Sequence, residues 1–415
     1  MQGEDIPQQS RSPAVSVGAL SGLRVLDFST LLPGPMATLF LAEAGAEVIK
    51  VERPGTGEEM RGYQPLWGAD SANFNLLNRG KKSIALDLKD ENDRRRLQPL
   101  IESCDVLVEQ FRPGVMARLG LGYDEVRRVN SRAIYCSISG YGQTGPRRAR
   151  AGHDLNYIGD AGLLALSLGT ADAPVIPPAL IADIGGGTYP AVINILLALR
   201  HRDLTGEGSY LDIAMSDNLF PFLYWALGQG QATGDWPASG GALVTGGSCR
   251  YRLYPTADGR FVAVGAIEDK FWAAFTQAIG LEPELRDDKA TPERTGARIA
   301  RIIRSQPSHH WRQTFEAVDC CCSVVRTLPD AMADEHFAAR GVFAAELVNE
   351  RGETMAALPT PVAKPFRADG ETSRAAPRLG EHNDALLGPA PASRAVAREG
   401  HSPIARGAIF DPESE

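Results

Sequence analysis

The feature that most constrains the fold of this chain is a regular alternation of apolar runs and helix-like runs that begins at Leu23. The apolar runs are short and rich in β-branched residues, as in parallel strands that are buried on both faces. We predict strands at residues 24–28, 47–51, 83–88, 105–109, 133–139 and 209–213, with helices at 36–44, 92–102 and 187–203. Strands that alternate with helices are typical of an α/β fold with a parallel sheet.

A second unit begins near Arg250. Two strand-like runs flank the turn Ala257-Asp258-Gly259 and predict a β-hairpin, and helical patterns follow at 270–280, 293–305, 309–317 and 328–340. The two ends of the chain contain few large apolar residues, and we expect them to be disordered. The predicted organisation is a disordered N-terminus (1–18), a large domain (19–228), a linker (229–249), a small domain (250–340), a linker that returns to the large domain (341–387) and a disordered tail (388–415).

The composition excludes several classes of protein. A net charge of −8 argues against a nucleic-acid partner, because nucleic-acid-binding domains usually present a basic face. No apolar run approaches the roughly 20 residues that span a bilayer, so we expect no membrane partner. The six cysteines match neither a zinc-binding spacing nor a secreted disulfide framework. We therefore expect no metal and a cytoplasmic location.

Two segments carry side chains that are suited to proton transfer. His153 is followed by Asp154, and Asp183 stands before the glycine run 185–187, which would let the backbone approach a ligand closely. An imidazole and a separate carboxylate could act on one carbon atom from two sides. The alternative is that the His-Asp pair is a structural loop element, which is the commoner role of such a dipeptide.

Basic residues at predicted strand ends are candidates for binding an anionic ligand. Arg53 ends one strand and Arg112 follows another, and ligands of open α/β sheets gather at such ends. Arg79, Lys81 and Lys82 form a basic cluster, whose alternative interpretation is solvated surface charge.

Short motifs occur in a fixed order along nearly the whole chain. They lie at residues 20–27, 32–35, 45–54, 77–82, 86–89, 105–114, 119–122 and 139–146. Together they resemble the family III CoA-transferase (CaiB/BaiF) superfamily, which includes 2-methylacyl-CoA racemases, over roughly residues 20–387. The resemblance implies a large Rossmann-like domain and a small α+β domain joined by two linkers. It also implies an interlocked-ring homodimer.

The same resemblance implies that acyl-CoA is the substrate and that no separate cofactor is needed. By similarity, Arg53, Arg112 and the Arg79–Lys81–Lys82 cluster would line the nucleotide and pyrophosphate end of CoA, and Tyr157 would pack along the pantetheine arm. Phosphates favour cationic and backbone donors, which agrees with these residue types.

The resemblance leaves two activities open, and Asp183 is common to both. In the transferases this carboxylate is a nucleophile, and in the racemases it is an acid or base. The segments Gly152–Tyr157 and Gly265–Glu268 match the racemase pattern, in which His153 is the second base and Glu268, supplied by the partner subunit, orients it. Asp154 would support the His153 loop, and backbone N–H groups near Asp183 would hold an enolate oxygen.

Other positions favour the transferases. The stretch 58–74 and the segment 378–383 resemble the transferase version, and Ala179 stands where racemases often carry Asn. Because function depends on the site rather than on the scaffold, the sequence predicts a racemase of 2-methyl-branched acyl-CoA thioesters, with CoA transfer between carboxylic acids as the alternative.

Overall fold

The structure is a computed structural model that describes residues 18–368 and 375–388. The predicted disordered N-terminus and tail lie almost entirely outside the described residues. The described part contains a six-stranded sheet and a separate three-stranded sheet.

All neighbouring strands of the larger sheet are parallel. In chain order they are β1 (Arg24–Phe28), β2 (Glu47–Glu52), β3 (Lys82–Ala85), β4 (Val106–Glu109), β5 (Ile134–Ser139) and β6 (Ser209–Ala214). Their spatial order is β6-β5-β4-β1-β2-β3, the order of a dinucleotide-binding Rossmann sheet. The order reverses between β1 and β4, so ligands are expected at the carboxyl ends of these two strands. All six predicted strands are confirmed.

Helices pack on both faces of this sheet, and two apolar clusters form its core. The helices of this part of the chain are α1 (Pro33–Glu43), α2 (Ala72–Asn78), α3 (Glu91–Ser103), α4 (Val115–Arg118), α5 (Tyr123–Val129), α6 (Asp154–Asp160), α7 (Tyr189–Thr205) and α8 (Tyr224–Thr233). A π-helix, Ala182–Thr188, runs directly into α7.

The second sheet is antiparallel and has its own apolar core. Its strands are β7 (Tyr251–Pro255), β8 (Phe261–Gly265) and β9 (Cys322–Val324), and α9 (Asp269–Ala278), α10 (Pro292–Arg304) and α11 (Ser308–Glu316) lie between β8 and β9. The helix predicted over 328–340 is instead two short helices, α12 (Leu328–Met332) and α13 (Glu335–Ala339), because the Asp334 carboxylate accepts the His336 N–H and starts a new helix.

The chain then returns to the large sheet. After the hairpin of β10 (Glu346–Val348) and β11 (Thr354–Ala356), Ala368 N–H donates to Glu43 O. The segment before α14 (Asn383–Leu387) covers the edge strand β3, since His382 N–H donates to Ser83 O and Asn383 Oδ1 accepts the Ala85 N–H. A covered edge cannot pair with another sheet. The division into two domains and the interlocked homodimer stay predictions.

The expectation that no segment is apolar enough to span a membrane needs correction. The continuous helix Ala182–Thr205 has 24 residues and is long and apolar enough to cross a membrane, but 44% of its apolar 18-residue stretch is buried inside the structure. The core helix of a soluble protein can have the same length and apolar composition. Ala191, Ile195 and Ala198 of this helix pack into the core beneath the sheet, so we assign it to the core.

Candidate active site

A cavity of about 520 Å³ opens at the carboxyl ends of β1 and β4, where the strand order reverses. Its wall is formed by the segments that follow β1, β4, β5 and β6, together with the His153 loop and the π-helix. The lining residues are Thr30, Leu31, Pro33, Gln110, Phe111, Arg112, Pro113, Ile138, Ser139, Gly140, Arg148, Arg150, Ala151, Gly152, His153, Asn156, Tyr157, Asp183 and Met215. The cavity therefore brings together four of the predicted site residues: His153, Asp183, Arg112 and Tyr157.

Asp183 lies in the first turn of the π-helix. π-helical turns often occur at functional sites. The glycines that follow serve packing rather than ligand approach: a Cβ at Gly186 would lie 2.3 Å from Met215 O. The sequence analysis predicts that this glycine run faces a ligand, and that prediction is wrong. The missing side chains instead let the π-helix pack closely against Met215, the residue after β6.

Asp154 is buried and anchors the start of the π-helix. Its Oδ1 accepts the N–H groups of Ala182 at 2.6 Å and Asp183 at 3.1 Å. The prediction that Asp154 supports the His153 loop is thus incomplete, since this carboxylate connects that loop to Asp183. These two N–H groups are therefore not available to an enolate oxygen. That other backbone N–H groups near Asp183 hold this oxygen stays a prediction.

His153 precedes the first residue of α6 and is exposed at the cavity wall. Its backbone is fixed from both sides, since its N–H donates to Asn156 Oδ1 and its carbonyl accepts the Tyr157 N–H. Within the described ranges, no hydrogen bond or ion pair engages the imidazole. A fixed backbone with an uncommitted imidazole suits a group that binds and releases protons.

The environment of Asp183 raises the pKa of its carboxyl to about 6. Burial is the largest cause, the nearby Asp154 carboxylate adds to it, and His153 acts in the opposite direction. The Asp183 carboxyl therefore titrates in the range that suits acid–base catalysis near neutral pH.

We predict that Asp154→Asn lowers the pKa of Asp183. The amide keeps an oxygen that can accept both backbone N–H groups but removes the charge that disfavours ionisation of Asp183. The acid limb of the pH–rate profile should therefore move to lower pH. Asp154→Ala, which removes both hydrogen bonds, should instead destabilise the fold by at least about 2 kcal/mol. A pH profile with an unmoved acid limb in Asp154→Asn would exclude this coupling.

Tyr157 and Arg112 contribute differently to the cavity. Tyr157 is buried, and its hydroxyl donates to Gly152 O at 2.5 Å, so it holds the loop that carries His153. Arg112 is exposed at the end of β4. Arg148 and Arg150 also line the cavity, and our sequence analysis missed them. The signal was the arginine-rich run immediately before Ala151, which lies just beyond the 139–146 motif.

Arg53 lies at a second cavity of about 310 Å³, at the carboxyl ends of β2 and β3. Its Nε donates to Gly57 O at 2.7 Å, and its Nη2 lies 3.3 Å from Glu59 Oε1. The Arg53 side chain is 57% exposed, so it remains accessible to an anion. Thr30 and Phe111 line both cavities and mark the passage between them.

The predicted anion-binding cluster is not formed, and two of its members are internal. Arg79 is buried, with its guanidinium bound to Glu43 Oε1 and Leu358 O. The Lys81 ammonium is buried beside Asp27, 3.1 Å from Oδ2. These contacts use the cations to hold the fold, which corrects the prediction that they bind CoA.

The prediction that Lys82 binds CoA is wrong for a different reason. It is the first residue of β3, at the amino edge of the sheet, and it pairs with Glu47 at the start of β2. Ligands of such sheets bind at the opposite edge.

Glu268 does not line the cavity within one chain. It stands exposed before α9, close enough to Cys321 to influence that thiol electrostatically. Its turn is rigidly held, because Arg250 Nη1 donates to both Ile267 O and Asp269 Oδ1.

The strand order and the position of the cavity define a Rossmann-like α/β protein whose site combines a carboxylate, an imidazole and arginines. The model of the family described as CoA-transferase family III matches residues 20–383. The alpha-methylacyl-CoA racemase of Homo sapiens is 33% identical over 376 residues, covering 89% of this chain and 92% of the relative. The acetyl-CoA:oxalate CoA-transferase of Acetobacter aceti is 33% identical over 386 residues, covering 90% and 96%.

The comparison with solved structures supports the same family. The crystal structure of a CAIB/BAIF family protein from Brucella suis matches with a TM-score of 0.75 at 28% identity, covering 89% of this chain and 98% of that one. The chain belongs to CoA-transferase family III, and the predicted family resemblance is confirmed. This is a family of enzymes, and the relatives named above include both a racemase and a transferase.

Proposed function

We propose that this protein is a racemase of 2-methyl-branched acyl-CoA thioesters that acts by 1,1-proton transfer. The observation that carries the proposal is the presence of His153 and Asp183 on the wall of one cavity, with the pKa of Asp183 raised to about 6. One acid–base group on each of two different elements is what inversion of a stereocentre requires.

In the proposed reaction the thioester acidifies the α-hydrogen. Neutral His153 removes this proton from one epimer, and the protonated Asp183 carboxyl delivers a proton to the opposite face of the planar enolate. The reverse reaction begins with ionised Asp183 and protonated His153. Asp154 keeps Asp183 in place throughout through its bonds to the backbone of Ala182 and Asp183.

The two cavities support an acyl-CoA substrate. The smaller one, with Arg53, would take the nucleotide end, and the larger one would take the thioester end. Arg112, Arg148 and Arg150 line the larger cavity and would attract the pyrophosphate, which joins the nucleotide to the pantetheine arm that carries the thioester. Acyl-CoA is then the substrate, and the proposed chemistry uses no further cofactor.

A homodimer completes this proposal. The helix α7 exposes an apolar stripe at helical spacing, with Ile193 55%, Leu197 62% and Leu204 68% exposed. Exposed apolar surface of this kind marks interaction sites. Glu268 is exposed on a rigid turn, which suits a carboxylate that reaches the His153 imidazole of the partner subunit. We propose a cytoplasmic location for this dimer.

A CoA-transferase between carboxylic acids is the second candidate. It is favoured by the equal identity of the Acetobacter aceti transferase and the human racemase, and by Ala179 in place of the racemase asparagine. In this reaction Asp183 would attack the thioester carbonyl and form a covalent anhydride with release of CoA thiolate.

Incubation of the wild-type protein with one epimer of a 2-methylacyl-CoA in deuterated water distinguishes the two reactions. We expect the α-hydrogen signal to disappear in NMR spectra without any acceptor acid, together with formation of the other epimer. A matched incubation contains an acceptor acid and follows the CoA esters by mass spectrometry. Transfer of CoA without α-hydrogen exchange would exclude the racemase.

A further inference from the structure

The turn that follows β1, residues 29–32, has an unusual backbone; we call it the switch turn. Leu31 has φ 62°, and Cys321 is the only other non-glycine residue of the described ranges with positive φ. The left-handed conformation costs an ordinary residue about 1–2 kcal/mol, and leucine has no polar side chain to compensate for it. Such a conformation persists only where the surrounding structure enforces it, most often at functional sites.

Glu58 enforces this conformation at Leu31. Its Oε2 accepts the Leu31 N–H at 2.7 Å, and its side chain is only 1% exposed. Its other oxygen, Oε1, lies 3.2 Å from Lys50 Nζ. The Lys50 ammonium in turn donates to Ser29 O at 2.8 Å. One carboxylate therefore holds the switch turn directly at Leu31 and, through Lys50, at Ser29.

Two further contacts restrict the switch turn. Asp27 Oδ1 accepts the Ser29 N–H at 3.0 Å. The first turn of α1 presses against it from the other side, since a Cβ at Gly34 would lie 2.2 Å from the Ser29 Cβ. The buried charges beneath the turn balance, because Asp27 and Glu58 are matched by Lys50 and Lys81. The turn is thus held by groups that are almost completely buried.

The switch turn also occupies a decisive place in the fold. It follows β1 at the reversal of strand order, Thr30 lines both cavities, and Leu31 lines the larger one together with His153 and Asp183. A ligand that extends from one cavity into the other passes this turn.

We propose that Glu58 is a positioning residue that holds Leu31 in the left-handed region and so fixes the wall against which the thioester end of acyl-CoA lies. This inference rests on the proposed function for the identity of the ligand. Glu58 also lines the smaller cavity, but its side chain is only 1% exposed there. It acts on the larger cavity through the backbone and does not touch the reacting atoms, so its loss should affect turnover more than CoA affinity, because misplaced reactants react slowly.

A double-mutant cycle tests the proposal. Leu31 and Lys50 bind different oxygens of Glu58, and Glu58→Gln replaces one of these oxygens by an NH2 group that cannot accept. We expect kcat to fall about tenfold with KM nearly unchanged. Glycine adopts positive φ without strain. In the Leu31→Gly background the same Glu58→Gln change should therefore lower kcat by less than about threefold. Leu32, with φ −117°, is the matched control: in the Leu32→Gly background the tenfold effect should persist.

A readout that does not depend on activity separates this inference from the proposed function. The Leu31 amide should exchange slowly with deuterated water in the wild type and at least tenfold faster in Glu58→Gln. If the wild type shows neither α-hydrogen exchange nor CoA transfer, the proposed function fails, and amide exchange still tests the role of Glu58. Unchanged amide exchange in Glu58→Gln, or an equal effect of Glu58→Gln in the Leu31 and Leu31→Gly backgrounds, overturns the proposal.

A second variant serves if Glu58→Gln does not fold. Leu31→Val leaves the buried charges intact but makes positive φ more costly, since β-branched residues avoid it. We expect a several-fold slower turnover and faster exchange of the amide at position 31. A variant that matches the wild type in both measurements would overturn the proposal.

Discussion

His153→Gln is expected to lower α-hydrogen exchange by about 10²–10⁴-fold for the epimer that we propose His153 deprotonates, which is the usual contribution of a positioned general base. Glutamine cannot accept a proton at neutral pH, but it preserves the backbone contacts of His153 with Asn156 and Tyr157. Asp183 still has a raised pKa, so exchange from the other epimer should be less affected. NMR spectra of each pure epimer in deuterated water measure the two rates separately.

The same variant distinguishes the two candidate functions. A transferase uses Asp183 as nucleophile, so His153→Gln should leave CoA transfer largely intact while it slows proton exchange from one epimer. His309→Gln is a matched control, because His309 is an exposed histidine of α11 outside the lining of both cavities. If both epimers exchange in His153→Gln as fast as in the wild type, His153 is not a base in this enzyme.

The strands of the large sheet could be predicted because each carries a local signal. Buried parallel strands are short, apolar and β-branched, and each of the six runs predicted from the sequence overlaps a strand of the observed sheet. The spatial order of the strands has no such local signal. The sequence therefore indicated Arg53 and Arg112 at strand ends, whereas only the structure places the reversal between β1 and β4, where the larger cavity opens.

Side-chain partners were harder to predict than elements. Asp154 was expected to act on its neighbour His153, but it binds the backbone 28 and 29 residues further along the chain. Lys82 was grouped with Lys81 by adjacency, although the first starts β3 at the amino edge and the second turns its ammonium into the core. Adjacent charges in sequence diverge wherever a strand begins, because successive side chains point to opposite faces.

Asp183→Asn is expected to lower both proton transfer and CoA transfer at least about 10³-fold, since an amide is neither a base nor a nucleophile. The same variant should be more stable than the wild type at pH 8. Burial first, and Asp154 second, raise the Asp183 pKa from 3.8 to about 6 in the folded state. The folded state therefore binds this proton more tightly than the unfolded state does.

The sign of the stability difference follows from this shift. Below the unfolded pKa both states are protonated, and the wild type carries no penalty relative to the neutral amide. As pH rises through the folded value of about 6, the wild type must ionise a half-buried carboxyl and loses roughly 1–2 kcal/mol of stability after solvent screening. Thermal unfolding should therefore show Asp183→Asn a few degrees more stable at pH 8, with the gap closing below pH 4.

An exposed carboxylate provides the control for this measurement. Asp172 lies in an exposed hairpin, so Asp172→Asn removes the same formal charge without relieving a buried one. It should leave Tm unchanged at both pH values. A wild-type enzyme as stable as Asp183→Asn at pH 8 would mean that ionised Asp183 is well solvated, and an acid–base role that depends on its raised pKa would then fail. A more stable but inactive Asp183→Asn would instead show that the fold tolerates a destabilised carboxylate because catalysis needs its proton near neutral pH.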